Sequence, residues 1–297
     1  MDVTAATLGR RLAIGRPVRA VGPGVDAYAC CVERTRLDGK AIIVTGAGGG
    51  IGRAICVESA SAGARGVLLV GRNRAMLEAC AEATRAAGAD ARVHVADVAS
   101  SDEVRGYVAA GVSAFDGIDV LVNNAGTEGM VADLVDYPED EYERVMAINA
   151  RGTFLGLKYV LPQMIERGAG SVINIGSIAS RRGLPATSAY IASKHAMLGL
   201  SRAAAAEVAR HGVRVNCICV GVVDTRMLRS VAEQLGPDDP EGTLQAIERF
   251  TPSLRLGTPE EVAAVVRFLA SDASSYVNGC SWEVDGAGLN TMGGLWS

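Results

Sequence analysis

The chain has 297 residues, of which 49% are hydrophobic and 21% charged, and its formal net charge is −4. That length can bury a sizeable core, and that composition is ordinary for a soluble globular protein. The slight acidic balance offers no broad basic surface for nucleic acid or anionic lipid, and no stretch approaches the ~18 consecutive apolar residues that span a bilayer.

Residues 1–36 differ from the rest. They carry Arg10, Arg11, Arg16, Arg19 and Arg34, break at Gly22-Pro23-Gly24, and show neither periodicity nor the apolar core of a secretory leader. A loosely ordered extension is expected; an over-long start and an Arg-rich targeting segment stay open. The seven cysteines (Cys30, Cys31, Cys56, Cys80, Cys217, Cys219, Cys280) are irregularly spaced and form no C-x-x-C pair. Buried free thiols are expected rather than disulfides or a metal centre. His94, His195 and His211 make no H-x-x-x-H pair, so no metal site is expected either. The cytoplasm is the expected compartment.

From residue 37 onward short apolar runs alternate with helical patterns. A β-branched run at 40–44 ends in glycines, and residues 51–62 then read as a helix. A second run at 67–70 leads into an Ala-rich helical stretch at 74–87. The strand signal repeats at 91–96, 119–123, 171–175 and 214–220, and a last strand is predicted at 281–284. Long helices are predicted around 141–164 and 188–209. Strands alternating with helices imply right-handed βαβ crossovers. The fold class is therefore α/β: a single doubly wound domain over 37–297, with a central parallel sheet flanked by helices on both faces.

Between the first strand and the first helix lies Thr45-Gly46-Ala47-Gly48-Gly49-Gly50-Ile51-Gly52. Glycine permits the tight turn and leaves room where a Cβ would strike a phosphate, while free N–H groups of the helix start face it. Its place after the first strand points to a dinucleotide, in a Rossmann-type fold, rather than to a plain βα turn. Farther on, Tyr190-Ile191-Ala192-Ser193-Lys194 puts a Tyr and a Lys four apart, on one face of a helix. Of 29 basic residues only Lys40, Lys158 and Lys194 are lysines, so lysine is rarely used here for simple charge. An ammonium at about 4–5 Å would supply ~3–4 kcal/mol of the roughly 4 kcal/mol that a phenol of pKa ~10 needs to serve as a base near neutrality. A cationic nicotinamide is expected to supply the remainder.

Together these motifs resemble those of the short-chain dehydrogenase/reductase family, from Leu37 to about Gly288. The T-G-x-x-x-G-x-G pattern is met by Thr45, Gly46, Gly50 and Gly52, and N-N-A-G by Asn123, Asn124, Ala125 and Gly126. The family's helix asparagine corresponds to Asn149, and its active-site serine to Ser177, thirteen residues before Tyr190. The resemblance implies an NAD(P)(H)-dependent oxidoreductase that interconverts a secondary alcohol and a ketone by hydride transfer. It implies Tyr190 as general acid and base, with Lys194 lowering the phenol pKa and holding the nicotinamide ribose. Ser177 would hydrogen-bond the substrate oxygen, and Asn149 would support a water linking Lys194 to solvent. The expected cofactor contacts are Gly46, Gly49, Gly50, Ile51, Gly52, Arg72, Asp97, Val98, Asn124, Ala125, Gly126, Tyr190, Lys194, Val223 and Thr225.

Gly71 stands where an acidic residue would bind the adenosine ribose 2′-hydroxyl, and Arg72 follows it. A guanidinium suits a 2′-phosphate, which favours NADP(H), with NAD(H) still possible. Asp97 matches the family residue that contacts adenine; a plain helix N-cap is the alternative. Val220 replaces the family's usual proline before Gly221, so a looser turn is expected, with the Thr225 hydroxyl contact retained. A substrate lid is expected over about 222–256. Its helical patterns at 226–235 and 241–250 carry Met227, Leu228, Val231, Leu235, Leu244, Ile247 and Phe250, which either line a pocket or only pack the lid onto the body. Glu128, Met130 and Leu184 are further pocket candidates. The expected substrate is a small-molecule alcohol or ketone. A 3-oxoacyl-carrier-protein-type ketoreductase is the alternative, against which the net negative charge argues, and a non-catalytic NADP(H)-binding regulator is more distant. The resemblance also implies a homodimer or homotetramer, assembled through the apolar stripes of the long helices, with the glycine-rich segment 286–297 near a neighbouring subunit.

Overall fold

The apolar runs become strands because both faces of the sheet are covered. The computed structural model describes residues 33–289, apart from the side chain of Phe250. Residues 1–32 of the expected extension, with Cys30 and Cys31, and residues 290–297 of the glycine-rich C-terminus lie outside the described residues. Seven parallel strands run β1 (Ala41–Thr45), β2 (Gly66–Gly71), β3 (Asp90–Val95), β4 (Val120–Asn123), β5 (Gly170–Ile175), β6 (Val213–Val220) and β7 (Ser281–Val284). Their order across the sheet is β3-β2-β1-β4-β5-β6-β7.

Side chains of β1 show how the layers form, since successive residues of a strand point to opposite faces. Ile42 and Val44 pack with Ile55 of α1 (Gly50–Ser61), Leu77 of α2 (Arg74–Ala86) and the later helix residues Val262 and Val266. Ala41 and Ile43 pack on the other face, with Tyr107 of α3 (Ser101–Phe115) and with Leu155, Val160 and Val208 farther along the chain. The remaining helices are α4 (Glu139–Met146), α5 (Gly152–Arg167), α6 (Ser188–Val208), α7 (Arg226–Leu235), α8 (Pro240–Phe250) and α9 (Pro259–Ala270). Side-chain caps start α2, α3 and α9, from Asn73, Ser100 and Thr258, the last in a capping box with Glu261. At α1 the capping position is Gly49, which has no side chain to offer, and the first turn holds no acidic residue.

Three features differ from the sequence expectation. The long helix expected around 141–164 is divided by a wide π-type turn, Ala147–Arg151, between α4 and α5. Such a bulge re-aims one side chain, here Asn149, into the interior. Residues 33–36, assigned to the loose extension, are anchored: the Thr35 carbonyl and hydroxyl accept bonds from Arg267 of α9 at 3.1 and 3.0 Å. The turn after β6 is also held without a proline. Val220 pairs with Val284, Gly221 N–H donates to the Val284 carbonyl at 2.9 Å, and Gly257 N–H donates to the Val222 carbonyl at 2.9 Å. Backbone bonds to β7 and to residue 257 replace the restraint a proline ring would give.

Among the described residues no helix is long and apolar enough to cross a membrane. Cys56, Cys80, Cys217, Cys219 and Cys280 are free, and no cluster of His, Cys, Asp or Glu among the described residues is placed to hold a metal ion.

Candidate active site

The strand order reverses between β1 and β4, and open α/β sheets leave a crevice at the carboxyl ends of the strands there. The glycine loop leaves β1 and the N-N-A-G loop leaves β4. Thr45, the last residue of β1, ties the two together. Its hydroxyl accepts the N–H groups of Asn124 and Ala125, each at 3.0 Å, and donates to the Val122 carbonyl at 3.3 Å. The Asn124 amide donates back to the carbonyls of Thr45 (2.9 Å) and Gly46 (3.2 Å). Nothing larger than glycine fits between them: Gly46 has φ +65° and a Cβ there would lie 2.9 Å from the Ala125 Cα, while a Cβ on Gly52 would strike the Gly46 carbonyl.

The two loops wall a cleft of about 420 Å³. Of the expected cofactor residues, Gly46, Gly49, Gly50, Ile51, Gly52, Arg72, Asn124, Ala125, Gly126 and Thr225 line it. Gly48, Gly71, Asn73, Met76, Leu77, Arg226 and Met227 line it too, though the sequence reading did not count them as cofactor contacts. Their signal was proximity: Asn73 to Leu77 follow Arg72 into the first turn of α2, and Arg226 and Met227 follow Thr225 into α7. Arg72 is exposed and makes no hydrogen bond or ion pair with another described residue, whereas Arg74 pairs with Glu78 at 3.7 Å. Thr225 caps α7, accepting the Leu228 N–H at 3.4 Å and donating to the Val223 carbonyl at 3.2 Å.

Five expected contacts are not part of this lining: Tyr190 and Lys194, which stand beyond Gly126, and Asp97, Val98 and Val223. Asp97 does not cap α3, because Ser100 does; its carboxylate accepts the Ala99 N–H at 2.9 Å and shapes the preceding turn. Val98 is buried against Gly152 at the start of α5. Val223 lines a separate cavity of about 100 Å³, with Thr251, Arg255 and Glu261.

The expected catalytic side chains come from three elements. Asn149, in the π-type turn, is fully buried; its amide oxygen accepts the Thr127 N–H and its amide nitrogen donates to the Thr127 carbonyl, both at 2.9 Å. The same nitrogen donates to Ser193 of α6 at 3.0 Å. Asn149 thereby fixes the segment after N-N-A-G to the helix that carries Tyr190 and Lys194. Lys194 is 4% exposed. Its Nζ donates to the Ile175 carbonyl at the end of β5 at 2.8 Å and lies 5.6 Å from the Tyr190 ring centroid. A Cβ on Gly126 would come within 3.8 Å of that Nζ, so the ammonium borders the glycine-lined cleft. Ser177, just after β5, accepts the Ala179 N–H at 3.1 Å, and its hydroxyl lies near enough to Tyr190 to favour the phenolate.

Burial dominates the electrostatics. It pushes the Lys194 ammonium down to about 8, with the thiols of Cys217 and Cys219 opposing. It pushes the Tyr190 phenol up; the Ser177 hydroxyl opposes this and the negative charge of Glu128 adds to it. The sequence expectation of a phenol acidified by its lysine is therefore not met in the protein alone, because desolvation penalises phenolate and ammonium alike. Tyr190 stands protonated at neutral pH. A group in that state is ready to donate a proton.

Comparison with known proteins places this geometry among oxidoreductases. The profile of a protein family described as enoyl-(acyl carrier protein) reductase matches residues 46–290. Levodione reductase of Leifsonia aquatica is 40% identical over 254 residues, which span 85% of this chain and 95% of that protein. A crystal structure of levodione reductase aligns with a TM-score of 0.85 and 38% identity, covering 86% of this chain and all (100%) of that one. NAD+-bound xylitol dehydrogenase aligns with a TM-score of 0.81 and 36% identity, covering 84% and 99%. Actinorhodin polyketide ketoreductase with NADPH aligns with a TM-score of 0.81 and 33% identity, covering 85% and 98%.

Proposed function

The chain belongs to the short-chain dehydrogenase/reductase family, an NAD(P)(H)-dependent oxidoreductase of secondary alcohols and ketones, and on that premise we propose that NADP(H) is its preferred cofactor and Tyr190 its proton donor and acceptor. The observation that carries the reading is continuity of the site: the glycine-lined cleft reaches Gly126, Gly126 borders Lys194, and Lys194 lies beside Tyr190, with the Ser177 hydroxyl near the phenol.

The residues fit a dinucleotide. The uncapped N-terminus of α1 presents backbone N–H groups to a pyrophosphate, and the glycines leave it room. Among the described residues Lys194 donates to the Ile175 carbonyl alone, which leaves two ammonium donors for ribose hydroxyls. When bound, the nicotinamide supplies or takes up the hydride. In ketone reduction Tyr190 gives its phenolic proton to the substrate oxygen, and in alcohol oxidation it takes that proton back. Ser177 hydrogen-bonds the same oxygen and favours its developing charge. Asn149 positions Ser193 and the segment after N-N-A-G.

Cofactor choice rests on Arg72. Solved relatives carry NAD+ in one case and NADPH in another, so likeness alone does not decide it. A guanidinium with no partner among the described residues, at the rim of the cleft, suits a 2′-phosphate. Assembly into a dimer or tetramer through α4, α5 and α6 belongs to the same reading, supported by Phe154 of α5, which is 44% exposed. Initial-rate assays on free ketones and on carrier-linked 3-oxoacyl thioesters, each with NADPH and NADH, test the proposal. Turnover of free ketones is expected, with NADPH preferred. Arg72→Asp should weaken NADPH by roughly 10- to 100-fold, the scale of one charge-assisted phosphate contact, and NADH far less. Equal loss for the two cofactors would remove the phosphate assignment.

A further inference from the structure

Glu128 follows Gly126 and Thr127 out of the N-N-A-G loop, and its backbone neighbourhood is firmly set. Asn149 holds both backbone groups of Thr127 at 2.9 Å, and Gln234 of α7 bridges to the Gly129 carbonyl (3.4 Å) and the Val131 N–H (2.9 Å). The Glu128 side chain is only 12% exposed, yet its carboxylate makes no hydrogen bond with another described residue. Its ion-pair partner, Arg226, stands 3.9 Å away and is itself 80% exposed. Two other carboxylates show the contrast: Arg144 binds both oxygens of Glu141 at 2.7 Å, and Arg255 binds both oxygens of Glu261. A half-buried carboxylate without a protein donor, its oxygens still reached by solvent, is a place where a ligand can complete the hydrogen bonding.

The location narrows that ligand. Arg226 lines the dinucleotide cleft, and the charge of Glu128 is felt by Tyr190, whose phenol it pushes up. Glu128 therefore faces the end of the site where the substrate oxygen is to be held. We propose, on the basis of the alcohol–ketone reading above, that Glu128 is a specificity-determining residue that accepts a hydrogen bond from a second hydroxyl group of the substrate, so that hydroxy ketones and diols are preferred over their singly functionalised analogues. A neutral hydroxyl fits better than an ammonium. Glu128 already pairs with the guanidinium of Arg226 and its charge is felt by that of Arg144, so a further cation would meet like charge.

The test compares kcat/KM for cyclohexanone, for 2-, 3- and 4-hydroxycyclohexanone, for the matching methoxycyclohexanones (which cannot donate) and for 4-aminocyclohexanone. The wild-type enzyme is expected to prefer at least one hydroxy ketone over both its deoxy and its methoxy analogue by roughly 10- to 100-fold, the scale of a hydrogen bond to a charged group. Glu128→Leu should collapse that ratio toward one, whatever happens to the absolute rates. Glu128→Gln, whose amide oxygen still accepts, should keep part of it, and unchanged NADPH affinity in both variants reports an intact fold. Turnover of cyclohexanone without hydroxyl preference, an unaltered ratio in Glu128→Leu, or a preference for the amino ketone would each overturn this inference alone. Failure of every ketone with an enzyme that binds NADPH would overturn the underlying alcohol–ketone reading as well.

Discussion

At the floor of the cleft, closeness is achieved by leaving side chains out, whereas at its catalytic end it is achieved by side chains that meet from distant parts of the chain. Gly46 and Gly52 let the first loop lie against Ala125 and against itself, and Thr45 and Asn124 lock that arrangement through five hydrogen bonds to or from backbone. The catalytic end instead brings Asn149, Ser177, Tyr190 and Lys194 together from the π-type turn, the segment after β5 and α6. Buried there, Lys194 is held at a cost, since its ammonium has given up water for one carbonyl. The floor is thus a stable template for binding. The catalytic end trades stability for chemistry.

Substitutions can separate the two regions. The largest effect is expected from Tyr190→Phe, which should lower kcat by ~2–4 orders of magnitude, as befits a lost positioned proton donor, while titration of NADPH fluorescence shows near-normal affinity. Comparable losses in affinity and turnover would mean that Tyr190 belongs to the binding floor.

Lys194→Met should abolish most turnover and also change how stability depends on pH. The folded protein holds this lysine at about 8, below the ordinary ~10.4 of an unfolded chain. Between those values the unfolded state binds more protons, so this group makes wild-type stability rise with pH across roughly pH 8 to 10.4, by about 3 kcal/mol in total. Below pH 8 the full cost of the buried ammonium is present. Urea denaturation at several pH values should show that rise in the wild type and a smaller one in Lys194→Met. Identical slopes would show that Lys194 is not held against its charge.

The smallest effect is expected at the floor. Gly52→Ala places a methyl against the Gly46 carbonyl, and because the obstacle is backbone, the loop must shift. A loss of about 1–3 kcal/mol in stability, the usual range for overpacking, should accompany weaker binding of both NADPH and NADH. Unchanged melting and binding would show the loop to be more yielding than its hydrogen bonds indicate.

Much of this molecule was legible in its residues. Strand and helix positions followed from alternation of apolar runs with helical patterns, and the observed strands fall close to those expected. Ten of the expected cofactor residues line the cleft, five from the glycine loop and the others from the N-N-A-G loop, the end of β2 and the turn after β6. The π-type turn was not legible, since an insertion of this kind leaves the apolar spacing of a helix nearly intact. Nor was the role of Ser193 as a partner of Asn149, or the shelter of Glu128 beside Arg226, because each depends on segments far apart in the chain.

The sequence by itself determined the doubly wound sheet, the glycine loop and the pairing of Tyr190 with Lys194 along one helix, because these are properties of short stretches with their own periodicity or backbone freedom. Tertiary structure alone decided the charge states at the site. Proximity of an ammonium to a phenol can be read from four-residue spacing, but whether the pair ionises depends on how much water the surrounding fold excludes, and here exclusion raises the phenol and lowers the lysine.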